Sequence, residues 1–144
     1  MAMPQEKKAG RSVTGEVSLK TDRRTQLLDV TAIVNQMVRD SGVYQGTCHL
    51  YVPHTTAGII INEGADPDVA RDIEAALDRL VPQDAAYRHT EGNADSHLKS
   101  ALVGSSAIIF VAGGRLELGR WQGVFFCEFD GPRQRTLRIK VVPD

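Results

Sequence analysis

The 144-residue chain reads as an α+β protein: a largely antiparallel, β-sandwich-like sheet with two to three helices. Three observations point there. Alternating or short apolar runs outnumber helical stripes, the helical stripes are inserted between such runs, and no regular β-α-β alternation appears. The length suits one hydrophobic core, so residues 11–144 are expected to form a single domain behind a flexible lead-in over 1–10.

Residues 12–19 alternate, with Val13, Gly15, Val17 and Leu19 on one face of a half-buried strand. A polar break leads to a second strand over 25–30, expected to pair with the first. From Thr31 the period changes: Ile33, Val34, Met37 and Val38 mark a helical stripe, Thr31 is the expected N-cap, and Ser41-Gly42 ends the helix. Residues 46–52 return to strand character, with Cys48, Leu50 and Val52 on one side and His49 inside the opposite face as a structural histidine. Pro53 stops that ladder, and Ile59, Ile60 and Ile61 form a short, fully buried strand. Asp66-Pro67 is a cap followed by proline at the first helical position; Val69, Ala70, Ile73, Ala76, Leu77 and Leu80 give that helix its core stripe, and Val81-Pro82 closes it. A polar connection over 83–94 precedes a short helix over 96–103, capped by Asn93 or Asp95 and ended by Gly104. Strands follow at 107–111, 115–118, 124–129 and 136–142, with Gly113-Gly114 and Asp130-Gly131-Pro132 as hairpin turns.

Composition narrows the function. Seventeen basic against eighteen acidic side chains leave a net charge of −1, so no bulk field draws the chain to nucleic acid or an anionic membrane. No apolar run approaches a membrane-spanning length, and residues 1–10 lack the apolar core of a signal peptide; a cytoplasmic location is expected. Cys48 and Cys127 sit in separate apolar runs, outside any C-x-x-C pair, and read as small buried hydrophobes.

The chemistry concentrates in histidines. His54, His89 and His97 lie among small polar residues and glycines, in VPHTTAG and YRHTEGNADSHLKS, at the edges of elements where sites are built. Three unrelated surface histidines are one reading; three neutral imidazoles around an open metal position, zinc foremost, are the other. Glu63 and Glu91 are the nearest acids and suit a general base, an imidazole-orienting partner or a magnesium ligand. Asn93 follows Gly92 in a turn and would serve backbone or ligand. Trp121-Gln122, holding the chain's single tryptophan, would line a pocket or simply pack. Lys99, Arg133 and Arg135 are the candidate phosphate contacts, whereas Arg115, Arg120 and Arg138 read as strand-face charges. No nucleotide-binding glycine fingerprint, Walker motif or G-x-S-x-G elbow is present.

The strings HTTAGIIINE (54–63), ADPDV (65–69), HTEGNADSHLKS (89–100), LGRWQG (118–123) and CEFDGPR (127–133) together resemble the YjbQ-like family. The match runs from about Arg11 to Val142. Members of that family are often labelled secondary thiamine-phosphate synthases. The resemblance implies a compact α+β fold, a homotrimer, a metal pocket at His54, His89 and His97, and Glu63, Glu91, Asn93, Trp121 and Gln122 close to it. It implies as well a small-molecule substrate, with Trp121 and Gln122 shaping its pocket; Lys99 and Arg133, read above as phosphate contacts, complete the expected substrate-binding set. Gly64 and Arg120 depart from the family pattern; the arginine would narrow or recharge a pocket mouth.

Overall fold

The computed structural model describes residues 10–144; the expected lead-in over 1–10 therefore falls, save for Gly10, outside the described residues. Eight strands and three helices follow in the order β1 (Val13–Lys20), β2 (Gln26–Asp29), α1 (Thr31–Ser41), β3 (Gly46–Tyr51), β4 (Ala57–Glu63), α2 (Pro67–Leu80), α3 (Ala94–Val103), β5 (Ser106–Ala112), β6 (Arg115–Leu116), β7 (Gln122–Glu128) and β8 (Gln134–Pro143). The class is α+β, as the pattern predicts. The strands form a five-stranded sheet, β1-β8-β3-β5-β6, and a three-stranded sheet, β2-β7-β4. Every pair is antiparallel.

The two sheets face each other because their inward positions are apolar at period two. Cys48 and Leu50 of β3, Ile109 and Val111 of β5, and Leu137, Ile139 and Val141 of β8 meet Ile59, Val124 and Phe126 of the smaller sheet. Val34 and Val38 bring α1 into the same core. The other face of the smaller sheet, with Leu27, Phe125 and Cys127, is covered by Ala70, Ile73 and Leu77 of α2 and by Val103 of α3. Cys48 and Cys127 are thus buried in different layers, and burial pushes both thiols up to about 12. Neither has thiolate character near neutrality.

Two connections differ from expectation. Strand β2 does not pair with β1; it hydrogen-bonds β7 in the other sheet, while β1 pairs with β8. Asp130-Gly131-Pro132 is likewise no hairpin turn, because β7 and β8 belong to different sheets. The physical reason is shared. Leu27 and Phe129 both belong to the apolar layer under α2 and α3, so the chain must change sheets at 21–25 and again at 129–133. These two crossings run side by side, Thr21 N–H donating to the Arg133 carbonyl at 3.0 Å and Gly131 N–H to the Arg24 carbonyl at 3.1 Å. Only a glycine fits at 131, where a Cβ would lie 2.3 Å from the Arg23 carbonyl oxygen. The Gly113-Gly114 turn forms as expected, both residues with positive φ.

Local details also shift. Thr31 opens α1 rather than capping it: Asp29 Oδ1 accepts from its N–H and its hydroxyl, and that hydroxyl accepts from Val124 N–H. Asp66 caps α2 through the Asp68 N–H at 2.9 Å, followed by Pro67 as read. Ile59 is buried, but Ile60 and Ile61 are half-buried: Ile60 lies on the outer face, which α2 and α3 only partly cover, and Ile61 packs at the margin of the core between the sheets.

Candidate functional site

At the end of the sandwich where β3 leaves, β4 enters and β8 begins lies a cavity of about 610 Å³. Val52 and Pro53 carry the chain off β3 and deliver His54, Thr55 and Thr56 to its wall; Asn93 and His97 come from the start of α3, and Asp130, Arg133 and Arg135 from the second crossing and β8.

The floor is a buried ion pair. Alternation on β8 places Arg135 on the same inward face as Leu137 and Ile139, and alternation on β7 places Glu128 inward with Val124 and Phe126. Both side chains are almost fully buried. Arg135 Nε donates to Glu128 Oε1 at 2.8 Å, and Nη2 donates to Glu128 Oε2 and to the Thr56 hydroxyl. Thr21 Oγ donates to Glu128 Oε1 at 2.7 Å and Asp130 N–H to Oε2 at 3.0 Å. Burial alone would push the Glu128 carboxyl up, but the Arg135 guanidinium, the Asp130 amide and the Thr21 hydroxyl together hold it below the ordinary carboxylate range. The charges are therefore paired and hydrogen-bonded, as burial requires. Arg135, 3% exposed, still contributes to the cavity wall.

His54 is half-buried over Phe126 in an edge-to-face contact. Its Nε2 accepts from Thr136 N–H at 2.9 Å. Burial, then the nearby Arg135 cation, lower its pKa from the ordinary histidine value. A neutral imidazole whose Nε2 is an acceptor carries its proton on Nδ1, so His54 presents an N–H donor. Arg133 Nη2 and Nε bond Asp130 Oδ2 and its carbonyl, keeping one guanidinium edge on the rim. Asn93 donates to Asp130 Oδ2 at 2.8 Å, while its Oδ1 is a buried acceptor without a partner. Arg24, which sequence reasoning did not single out, ties the two loops together: it reaches Asp130 at 3.4 Å and Asp95 at 3.0 Å.

The expected site residues do not all meet. His54, His97, Asn93 and Arg133 share the cavity. His89 lies against His97, ring centroids 5.1 Å apart, with Nε2 3.3 Å from Glu91. Lys99 does not reach the cavity: it is 2% exposed, and its ammonium is held by Asp78 at 2.6 Å and Asp95 at 3.1 Å. Glu63 sits at the far end of β4, paired with Gln122, about 20 Å along the strand from Ala57. Its carboxylate accepts from Ala65 and Asp66 N–H. Gln122 Oε1 accepts from Gly119 N–H at 2.8 Å, and Trp121 is 56% exposed beneath the Arg120 guanidinium, 4.8 Å from its carbon.

The three histidines do not fit a metal as they stand. Among the described residues no three His, Cys, Asp or Glu side chains are arranged around an ion. The physical obstacle is His54, with Nε2 occupied by a backbone donor and Nδ1 bearing the proton. What the cavity does offer is donors for an anion: the Arg135 and Arg133 edges, the His54 N–H and the Thr55 and Ser105 hydroxyls at its wall. Missing from the sequence reading were Asp130 and Glu128 as site builders; their spacing from Arg133 and Arg135, three and seven residues, was the available signal.

Comparison with known proteins places this geometry. Residues 15–144 match the family model described as UPF0047 protein YjbQ-like. A UPF0047 protein of Methanocaldococcus jannaschii is 48% identical over 126 residues, 88% of this chain and 91% of that protein. The UPF0047 protein YugU of Bacillus subtilis is 46% identical, covering 88% and 96%. Among solved structures, an uncharacterized YjbQ/UPF0047-family protein of Clostridium acetobutylicum superposes with a TM-score of 0.87 at 49% identity, covering 89% and 99%. A YbjQ-like protein of unknown function from Sulfolobus solfataricus gives 0.89 at 29% identity, covering 93% and 99%.

Proposed function

The chain belongs to the YjbQ-like UPF0047 family, and from that premise we propose that it is an enzyme acting on a small phosphorylated metabolite in the His54 cavity. One observation carries this: a 610 Å³ cavity, of the size small-molecule sites have, is lined by Arg133, Arg135 and His54, with Asp130 beside them.

The specific reaction proposed is thiamine-phosphate-synthase-like. A thiazole phosphate nitrogen attacks the methylene of a pyrimidine pyrophosphate; the C–O bond breaks and pyrophosphate leaves with the bonding pair. Arg133 and Arg135 would hold the departing oxyanions, the His54 N–H would donate to one of them, and Asn93 and His97 would orient the reactants at the mouth of α3. The attacking thiazole nitrogen bears no proton, so Glu91, 3.3 Å from His89, is proposed here to orient that imidazole and would serve as a general base only in a hydrolytic or isomerising reaction; Glu63, Trp121 and Gln122 would act only where the far end of another subunit comes close. The test is pyrophosphate release by wild type, Glu63→Gln, Glu91→Gln and His97→Ala. Loss of a group that orients the reactants should lower turnover clearly below wild type; four equal trace rates would remove the activity from this site.

A second reading, a hydrolase or isomerase of a metabolite with a single phosphate, is favoured by one detail. With Lys99 locked in ion pairs, two guanidiniums border the cavity, a set suited to one phosphate group. A non-catalytic trimeric binding protein is the third class, distinguished by ligand binding without phosphate or pyrophosphate release.

Zinc at His54, His89 and His97, or magnesium beside a pyrophosphate, is proposed separately; zinc requires His54 to release the Thr136 N–H so that Nε2 becomes a ligand, and no step above passes through either. Elemental analysis of tag-free protein and a zinc titration test it; His97→Ala would remove most affinity, and protein that is metal-free and refuses added zinc would end it. The homotrimer is supported by the outer face of the larger sheet, where Tyr51, Ile108 and Phe110 are 51%, 61% and 66% exposed. Light scattering that returned a monomer at micromolar concentration would remove it. Among the described residues no helix is long and apolar enough to cross a membrane.

A further inference from the structure

His97 lines two cavities. One is the polar His54 cavity; the other, about 280 Å³, is lined by Tyr87, Arg88, His89, Ala94, His97 and Leu98. Their linings differ in kind. The first presents guanidinium, carboxylate, hydroxyl and amide groups, whereas the second presents three rings, the aliphatic side chains of Ala94 and Leu98, and one arginine, Arg88.

We propose that the second cavity is a subsite for a planar aromatic ring, carried by the same ligand whose anionic head enters the His54 cavity. The inference rests on the anion reading of that cavity and adds the ligand's other half. At 280 Å³ the second space is smaller than the roughly 300–1,000 Å³ that whole ligands occupy, so it suits one ring of a larger molecule. Its walls suit a flat occupant. His89 and His97 meet edge to face at 64°, which leaves ring surface available for stacking, and the Tyr87 hydroxyl is anchored on the Pro82 carbonyl. Leu98, 44% exposed on α3, supplies apolar surface, and Arg88 can lie over a π face from the rim. With the His97 side chain shared by the two walls, groups that contact it from the two cavities stand about 7 Å apart, twice an ordinary contact distance. That separation places the ring two or three bonds beyond the phosphate ester.

The test uses inorganic phosphate, propyl phosphate and 2-phenylethyl phosphate, titrated calorimetrically into wild type, Leu98→Glu and Arg133→Ala. Covering about 60 Å² of ring surface corresponds to roughly tenfold in affinity. Wild type is expected to hold phenylethyl phosphate about tenfold tighter than propyl phosphate. Leu98→Glu should erase that preference, its carboxylate weakening both esters by a similar small factor; Leu98 is a surface side chain, so the fold survives the change. Arg133→Ala should weaken both esters by a similar factor. Equal affinities in wild type, or a preference that persists in Leu98→Glu, overturns the subsite while leaving the anion reading standing. If none of the three phosphates binds wild type, the anion reading itself fails and the subsite fails with it.

Discussion

The two ends of the three-stranded sheet carry residues from the same set of motifs and are built on opposite principles. At the Ala57 end, charge is buried: Glu128 and Arg135 are paired in the interior, Asp95 and Lys99 are paired under α3, and a cavity remains beside them. At the Glu63 end, polar side chains spend their hydrogen bonds on nearby backbone, Glu63 on Ala65 and Asp66, Gln122 on Gly119, Asp66 on Asp68. A carboxylate satisfied by local amides alone shapes a loop; a pair of charges that meet across two sheets shapes a site, and makes the fold depend on it.

The comparison breaks most visibly at the buried pair. Arg135→Met leaves Glu128 charged and unpaired in the interior and should cost about 3–5 kcal/mol in urea unfolding. Adding Glu128→Gln should restore part of that loss, and a single-variant cost below about 1 kcal/mol would mean that the pair is not what holds this end. Lys99→Met is expected to cost less, about 2–3 kcal/mol, because Asp95 keeps its contact with Arg24.

Acid should act on the same end. Glu128 titrates below the ordinary carboxylate value in the folded chain, so the unfolded chain takes up the proton first. Its contribution to stability is therefore complete above the unfolded value, about 4.3, and is lost as pH falls through the folded one. A Glu128→Gln variant should show a shallower loss of stability below pH 4.5 than wild type; parallel curves would contradict the assignment.

The far end gives the smallest effects. Glu63→Gln should cost about 0.5–1.5 kcal/mol, the worth of its loop hydrogen bonds, and Trp121→Ala less than about 0.5 kcal/mol. Within one chain neither should alter phosphate affinity at the His54 cavity. If either does, the two ends meet between copies in the assembly, and the contrast drawn above becomes a division of labour across an interface.

Much of this was legible in the residues. The α+β class, the Asp66-Pro67 helix start, the Gly113-Gly114 turn and the arrival of His54 at a strand end all follow from local rules: backbone preference, capping and period. The grouping of His54, Asn93, His97 and Arg133 was legible too, through the motif strings. Sheet membership was not. Val17 and Leu27 obey the same alternation, yet one belongs to the larger sheet and the other to the smaller.

The sequence by itself determined which segments would be strands or helices and which side of each would be apolar, because those properties are settled within a few residues. Only the tertiary structure decided which strands are neighbours, and with that everything long-range: that Lys99 is buried in ion pairs, that Arg135 meets Glu128, and that Glu63 lies about 20 Å along β4 from the cavity. Side chains of the same type face solvent, a partner charge or a ligand according to what packs opposite them, and the crossings at 21–25 and 129–133 choose that opposite wall.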